Sequence, residues 1–304
     1  MVKKATLIIE GNDPKWTEIV SKCYEFDFYH TKCYHALETK NRAVLFVAYM
    51  VDDFIAFPLI IRKIENSTYF DCTSVYGYVG PISNLPFDKI VKEHLEYFQK
   101  EVWQFFKSNN IVSAFTRLHP LMDNQNLFSN FGEIMDLNQT VAINLRLTEE
   151  EQKKQYRKSI KYDIVQLQKK GYVVTEAETA EEIEAFMEIY SKTMKRVAAK
   201  DDYYFKPDYF YKFLNNDCFT SKILIAKVNG EITAGAMFTI TNHFMQYHLA
   251  GTAEKFIKDA PMKLILEEAR ILGNKLNLDV LNLGGGLTTS TEDSLYRFKS
   301  GFST

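Results

Sequence analysis

The chain has 304 residues, more than a single hydrophobic core usually holds, so two domains are expected. Hydrophobic residues make up 46% and charged residues 25%, which is ordinary for a soluble globular protein. The net charge of −2 excludes a general attraction to nucleic acid or membranes, so any basic surface must be local.

Cysteine usage and hydropathy narrow the class of protein further. Four widely spaced cysteines form no CxxC pair, which argues against a zinc site or a redox dithiol and suits a reducing cytosol. The first residues are not apolar enough for a signal peptide, and no run approaches the ~20 apolar residues of a membrane helix. Six scattered histidines indicate no metal site. We expect a cytoplasmic protein without an integral membrane segment or a metal.

The first half of the chain predicts a mixed α/β domain. A strand and a helix open it, and a hairpin follows over residues 43–61. Apolar residues then recur at helical spacing over 87–108, and strands are expected at 111–117 and 141–145. This order of elements places residues 1–147 in one domain.

A tyrosine-rich loop interrupts this domain, with the sequence Val-Tyr-Gly-Tyr-Val-Gly-Pro over residues 75–81. Two glycines and a proline among tyrosines indicate a structured loop whose phenol groups face a cleft. Tyr76 and Tyr78, with Asn84 beyond the turn, are candidates to hydrogen-bond a polar acceptor substrate. The alternative is that the tyrosines cap the first core with their hydroxyls at its edge.

The second domain, residues 148–304, is predicted to begin with one strongly basic helix that ends at Lys170. Between Gln152 and Tyr172, seven Lys or Arg residues stand against one acid. Its face at Arg157, Lys158 and Lys161 could hold a polyanion. The alternative is the ordinary polar outside of a helix with one buried stripe.

The rest of the second domain repeats the plan of the first. The expected elements are helices at 181–194, 207–214 and 262–276 and strands at 172–175, 223–228, 232–241, 244–250 and 280–283. Asn229-Gly230 between two apolar runs is a strong hairpin signal. The shared order indicates a duplicated unit, folded as mixed α/β sheets.

Three glycines, Gly284, Gly285 and Gly286, end the last strand abruptly. Glycine permits positive φ and lets another group approach the backbone closely. A helix is predicted to start after them, with capping candidates at 288–291. The run is neither GxGxxG nor a P-loop, so it is not expected to bind a dinucleotide or ATP.

Two cations follow, Arg297 and Lys299, and Lys299 lies between Phe298 and Phe302. Aromatic anchors on both sides would fix where a cation points, so Lys299 is predicted to face a reaction site. The alternative is a surface lysine on a C-terminal turn.

Two further residues are candidates for substrate binding. Tyr247 lies on a strand of the second domain, where its hydroxyl could face either the site or the edge of the core. Arg196, in a basic loop, could bind a phosphate bidentately, although charged loops are usually only solvated.

Four motifs resemble the FemABX family, bacterial transferases built from two acetyltransferase-like (GNAT) domains. The motifs are Arg-Lys-Ser-Ile-Lys at 157–161 with Lys-Lys-Gly-Tyr-Val-Val at 169–174, Tyr-His-Leu-Ala-Gly-Thr at 247–252, the glycine run through Phe-Lys-Ser-Gly-Phe-Ser at 298–303, and the tyrosine-rich loop. The order of the four motifs makes the resemblance more specific than any one of them.

The resemblance implies two tandem GNAT-like domains and transfer of an activated aminoacyl group from aminoacyl-tRNA to the amine of a peptidoglycan precursor. It implies that Lys299 acts in the site and that Arg157, Lys158 and Lys161 contact the tRNA acceptor end. No cofactor beyond the charged tRNA is implied. The long helical arm of some family members is absent.

Two other functions remain open from the sequence. The same fold could take acyl-CoA and modify an amino sugar of a surface polysaccharide, although residues 251–261 lack the usual pyrophosphate-binding turn. It could also be a non-catalytic binding module, against which Lys299 and the glycine run argue. The sequence does not indicate an oligomeric state.

Overall fold

A computed structural model describes residues 3–129, 131–290 and 292–303. The chain divides into two compact units, unit 1 (Met1–Asp136) and unit 2 (Leu137–Thr304). Each unit is built around one six-stranded mixed sheet. Across the described ranges, every helix is too short or too polar to cross a membrane.

Unit 1 packs a twisted sheet against one long helix. Its strands are β1 (Lys4–Glu10), β2 (Arg42–Met50), β3 (Asp53–Lys63), β4 (Phe70–Thr73), β5 (Ile82–Ser83) and β6 (Ile111–Ala114), and its helices are α1 (Lys15–Ser21), α2 (Lys32–Glu38) and α3 (Lys92–Ser108). The strand order is β1-β2-β3-β4-β6, with β5 beside β3. The apolar stripe of α3, with Phe98 and Val102 fully buried, lies in the core of this unit.

Unit 2 has helices around a larger sheet. Its strands are β7 (Val141–Asn144), β8 (Val173–Glu176), β9 (Thr220–Val228), β10 (Glu231–Thr241), β11 (Phe244–Thr252) and β12 (Val280–Gly284), and its helices are α4 (Glu149–Lys154), α5 (Lys158–Lys169), α6 (Ala180–Arg196), α7 (Pro207–Leu214), α8 (Met262–Lys275) and α9 (Ser294–Lys299). The strand order is β7-β12-β11-β10-β9-β8. The core includes buried residues of α5, α8 and the sheet.

The two units share a topology. In unit 1, β1 to β4 are antiparallel neighbours, and β6 runs parallel to β4 after the crossover through α3. In unit 2, β8 to β11 are antiparallel, and β12 runs parallel to β11 after the crossover through α8. This repetition matches the duplicated order of elements that the sequence indicates.

The strand predicted at 141–145 lies in a different sheet from the one expected. As β7 it pairs antiparallel with β12 and so contributes to the sheet of unit 2. The sequence places residues 1–147 in the first domain, whereas the structural division lies at Asp136. Chain order alone does not tell which sheet a linking strand joins.

The predicted basic helix is in fact two helices. α4 starts at a capping box formed by Thr148 and Glu151 and ends at Lys154. α5 begins after Arg157, whose backbone is extended with ψ of 145°. The prediction of one continuous helix was therefore wrong, although the expected apolar stripe, from Tyr156 to Leu167, is buried.

Candidate functional site

The glycine run after β12 has a steric reason at each position. Gly284 has φ of +73°, a conformation that favours glycine, and its N–H donates to Asn282 Oδ1 at 2.9 Å. A Cβ on Gly285 would come within 2.9 Å of a backbone oxygen, and one on Gly286 within 2.6 Å of Asp293 Oδ1. The backbone can follow this path only without side chains here.

One carboxylate, that of Asp293, organises the loop after the glycines and caps α9. It accepts hydrogen bonds from the backbone N–H groups of Tyr296 at 2.9 Å and of Leu287 and Thr288 at 3.1 Å each. These bonds, that from Tyr296 foremost, hold the pKa of Asp293 below its ordinary value. The sequence predicts a cap among 288–291, of which residue 291 lies outside the described residues, and the structure uses Asp293 instead.

Lys299 ends α9 with its side chain buried. Only 7% of the residue is exposed. Its Nζ donates to the carbonyl oxygen of Gly285 at 2.8 Å and lies 5.6 Å from the ring centroid of Tyr247. Burial lowers the pKa of Lys299 to about 8, against a smaller opposing effect of Asp293. Near neutral pH the amine is therefore mostly charged, but it can lose its proton easily.

The aromatic residues around Lys299 have different roles. Phe302 is fully buried and packs against Tyr156 and Phe298, with ring centroids 5.1 Å and 5.8 Å away. The ring that faces the ammonium is that of Tyr247, on β11. Desolvation raises the pKa of Tyr247 above its ordinary value, so the phenol stays neutral. Phe302 therefore anchors the segment after α9 in the core, and the ring of Tyr247 contacts the Lys299 ammonium.

Asn282 is a residue of this site that sequence reasoning missed. It is fully buried on β12, and its Oδ1 holds the N–H of Gly284. Its Nδ2 has no hydrogen-bond partner within the described part of the chain. A buried amide donor without a partner is costly, so such groups require an explanation. An asparagine within an apolar strand, two positions before a glycine run, was the available signal.

The two candidate arginines bind within unit 2. Arg297, on the exposed side of α9, pairs with Glu292 at 3.2 Å. Arg196, the last residue of α6, donates to the carbonyl oxygen of Thr252 at 3.2 Å and more weakly to Thr193 Oγ1. Binding of a phosphate by Arg196 stays a prediction.

The basic residues of α4 and α5 divide into paired and solvent-facing groups. The ion pairs are Lys153 with Glu149, Lys154 with Glu150 and Lys170 with Asp259. Lys158 and Lys161 are exposed on α5. Arg157 is exposed as well, but its guanidinium contacts the C-terminal end of α9. The basic surface is thus smaller than the sequence indicates.

The candidates of unit 1 lie in and beside the tyrosine-rich loop. Tyr76 is 54% exposed, and the guanidinium of Arg117 lies 5.7 Å from its ring centroid. Tyr78 contacts the ring of His119 edge-on. Asn84 holds backbone groups instead, accepting from Phe54 N–H at 2.7 Å. Their roles in substrate binding stay predictions.

The tyrosine-rich loop is structured, as the sequence predicts, because side chains of unit 1 contact its backbone on the buried side. A Cβ on Gly77 would overlap the ring of Tyr29 at 2.1 Å. His30, which burial keeps neutral by lowering its pKa to about 4, contacts the carbonyl oxygen of Val79 through Nε2 at 3.2 Å. Asn124 Nδ2 donates to the carbonyl oxygen of Pro81 at 3.2 Å. These contacts hold the loop in place, with Tyr76 as its one exposed residue between 75 and 81.

Comparison with known proteins yields one family match. The model of the FemAB family matches residues 94–231. Among curated proteins, no sequence matches the chain. The resemblance to the FemAB family that the sequence predicts is confirmed by this match together with the fold.

Several solved structures have a similar fold at low identity. FemX is 12% identical, with a TM-score of 0.76, and the match covers 98% of this chain and 94% of that one. The C-terminal domain of a putative lysylphosphatidylglycerol synthetase from Agrobacterium fabrum is 14% identical, with a TM-score of 0.60 and coverage of 95% and 87%. L-PGS from Bacillus licheniformis is 13% identical, with a TM-score of 0.61 and coverage of 94% and 80%. The predicted fold class, mixed α/β sheets in two similar units, is confirmed, and the chain shares the fold of FemX.

Proposed function

We propose that this FemAB-like chain is an N-acyltransferase that moves an aminoacyl group from aminoacyl-tRNA to an amine of a peptidoglycan precursor. The similarity to the FemAB family and to FemX supports the reaction class. The fold shared with a putative lysylphosphatidylglycerol synthetase, whose named product carries a lysyl group, supports an aminoacyl donor.

The observation that carries the proposal is the buried amine of Lys299 beside the glycine loop. A lysine that is 7% exposed, with one hydrogen bond to a backbone carbonyl, is costly to the fold. Strongly perturbed lysines concentrate at functional sites. Since the Nζ donates only to Gly285 O among the described residues, it retains two N–H donors for a substrate oxygen.

Aminoacyl transfer requires a hydrogen-bond donor at the ester oxygen. The acceptor amine attacks the ester carbonyl carbon, a C–N bond forms, and the carbonyl oxygen becomes an oxyanion. The C–O bond to the ribose then breaks, and the amine proton ends on the released hydroxyl. Lys299, in its protonated form, stabilises the oxyanion, and one preorganised donor of this kind is worth roughly 3 to 4 kcal/mol.

The neighbours of Lys299 set its direction. The Gly285 carbonyl and the ring of Tyr247 fix the ammonium on two sides. The exposed Lys158 and Lys161 supply cations for tRNA phosphates, which position the RNA without reading its sequence.

The donor distinguishes this function from the acyl-CoA alternative. After β11 the chain forms a short 3₁₀ helix over Glu254–Asp259 and then a left-handed Ala260 before α8. The sequence there has no Arg/Gln-x-x-Gly-x-Gly/Ala turn of the kind that binds the pyrophosphate of coenzyme A. We therefore propose aminoacyl-tRNA as co-substrate and no separate cofactor.

The test is a transfer assay with defined donors. The protein is incubated with aminoacyl-tRNA pools, or separately with acyl-CoAs, and with a peptidoglycan precursor that carries a free amine. Mass spectrometry of the precursor should show a gain of one aminoacyl residue with the tRNA donor only. Lys299→Met should abolish the gain, and Lys258→Met, at an exposed lysine of the same unit, should leave it unchanged. Transfer from acyl-CoA alone would favour the alternative donor, and unchanged transfer by Lys299→Met would remove the assigned role.

A further inference from the structure

In the junction between α4 and α5, Arg157 forms hydrogen bonds with the C-terminal end of α9 and the residues that follow it. Its backbone N–H donates to the carbonyl oxygen of Gly301 at 2.9 Å. Its Nη1 donates to the carbonyl oxygen of Arg297 at 3.0 Å, and its Nη2 to Ser300 Oγ at 2.8 Å. Three donors of one residue thus bind three positions that surround Lys299 in the chain.

These contacts stabilise the C-terminal end of α9. The helix has only six residues, ending at Lys299. So short a helix is not stable alone, and its last carbonyls lack helical partners. A cation at this end also interacts favourably with the helix dipole. Asp293 holds the first turn, and Arg157 holds the last, so both ends of the helix are fixed.

The residues on either side of Arg157 pack against the residues that follow α9. A Cβ on Gly301 would come within 2.9 Å of Ile160, so these two segments of the chain are in close contact there. Tyr156 packs its ring against Phe302 at 5.1 Å, and its hydroxyl donates to Glu267 Oε2 at 2.9 Å.

This packing is fixed to α8 through Tyr156 and Glu267. Glu267 is held by Arg270, which is fully buried and donates to both oxygens of the carboxylate, at 3.0 Å and 2.8 Å. Arg270 also donates to Gln152 Oε1 at 2.8 Å, so the network reaches α4. The junction that carries Arg157 is therefore fixed to the core of unit 2 on both sides.

The break between α4 and α5 follows from the same contacts. Within a continuous helix the N–H of Arg157 would point to a carbonyl one turn earlier. In the structure it leaves the helical direction and binds Gly301 O. The sequence motif that resembles a tRNA-binding face therefore places its first cation against α9.

We propose that Arg157 is a positioning residue for Lys299: it fixes the end of α9 so that the Lys299 amine reaches the glycine loop. This inference rests on the proposed function for its kinetic consequence. Its structural consequence, the placement of the amine, does not depend on any activity. Arg157 is assigned no contact with the acyl group, and the tRNA contacts are left to Lys158 and Lys161.

The experiment compares Arg157→Lys and Arg157→Gln with the matched variant Lys158→Gln. Lysine keeps the charge but cannot reproduce the forked contacts of the guanidinium. The first readout is independent of turnover: the pH dependence of acylation of the Lys299 amine by a small amine-reactive reagent, followed by peptide mass spectrometry. Thermal unfolding by circular dichroism shows that each variant is folded.

We expect both Arg157 variants to shift the reactivity midpoint of Lys299 upward, toward that of ordinary lysines, because the amine becomes less buried. In the transfer assay kcat should fall about 10- to 100-fold, as for a small misplacement of a catalytic group, while KM for tRNA stays unchanged. Lys258→Met, at an exposed lysine of the same unit, should leave the Lys299 midpoint and kcat unchanged. Lys158→Gln should reduce the slope of log affinity against log salt by about 1.

Two results would overturn the inference. One is an unchanged reactivity midpoint of Lys299 in both Arg157 variants. The other is a fall in the salt slope for Arg157→Gln equal to that of Lys158→Gln with kcat unchanged, which would make Arg157 an RNA contact. A protein that transfers nothing from any donor would refute the proposed function, whereas the reactivity profile would still decide the role of Arg157.

Discussion

Replacing Lys299 by methionine should stabilise unit 2 near neutral pH, even as it removes the proposed catalytic group. Burial lowers the pKa of this amine from 10.5 to about 8. That shift corresponds to about 3 kcal/mol of stability lost when the charged form is buried at pH 7. The methionine variant also leaves the carbonyl of Gly285 without its donor, at a cost of about 1 kcal/mol. A net gain of about 2 kcal/mol is expected.

The stability advantage of Lys299→Met depends on pH. Between pH 8 and 10.5 the unfolded chain holds the Lys299 proton and the folded chain does not, so the contribution of Lys299 to the free energy of unfolding rises with pH. The advantage of Lys299→Met should therefore shrink over this window and disappear by about pH 10.5. The buried thiols of Cys23 and Cys72, whose pKa is raised by burial, also change stability at high pH, but they are present in both proteins and cancel in the comparison.

Urea unfolding at pH 7 and at pH 10.5 measures the effect, with Lys258→Met as the control at an exposed position. Both tryptophans, Trp16 and Trp103, lie in unit 1. Tryptophan fluorescence therefore follows unit 1, and far-ultraviolet circular dichroism follows both units. The reasoning is refuted if Lys299→Met is less stable than the native protein at pH 7, or if its advantage is the same at both pH values.

Three further predictions follow from the site. The rate of transfer should fall as pH rises through about 8, because the oxyanion role needs protonated Lys299; a rate that rises through this pH would make the amine a general base instead. Gly286→Ala should lower the free energy of unfolding by about 1 to 2 kcal/mol, since its Cβ would displace the carboxylate that caps α9, while Gly132→Ala, in open space, should change little in denaturant titrations. Lys158→Gln combined with Lys161→Gln should reduce the salt slope of tRNA binding by about 2, and an unchanged slope would place the RNA elsewhere.

The sequence predicts the sheets of this protein better than the contacts around Lys299. Alternating and continuous apolar runs and the Asn229-Gly230 turn are local signals, and they correspond to observed strands. The break at Arg157 has no local signal, because its cause is a hydrogen bond to Gly301, far away in the chain. Periodicity reports which side of a helix is buried, and it correctly predicts the buried stripe from Tyr156 to Leu167.

The individual candidates show the same limit. Lys299 was predicted to point inward from the aromatics beside it, and it is buried, but the ring that it faces is Tyr247 on another strand. Asn84 is a candidate for substrate binding, and the structure adds that its amide bonds the backbone of the hairpin turn. The type of residue limits what a side chain can bind, and the tertiary fold decides which partner it meets.

Pro58 illustrates why single-residue rules need the fold. A proline in a strand is expected at an edge or bulge because it lacks a donor. It lies in β3, an interior strand, opposite Leu45. On the other side of β3, β5 pairs with Ile55 and Ala56, and β4 pairs from Ile60 onward. Pro58 falls between these two partners, where no ladder bond is required.

The pairing of β7 with β12 bears on how unit 2 can be isolated for spectroscopy. The glycine run continues from β12, which β7 on one side and β11 on the other make an interior strand. A recombinant piece starting at Thr148 would strip away β7 and leave the backbone of β12 open to pairing with other molecules. A piece starting at Leu137 keeps that neighbour. The eleven residues 137–147, which the sequence assigns to the first domain, therefore decide whether the strand before the glycine run is an interior strand or an exposed edge strand.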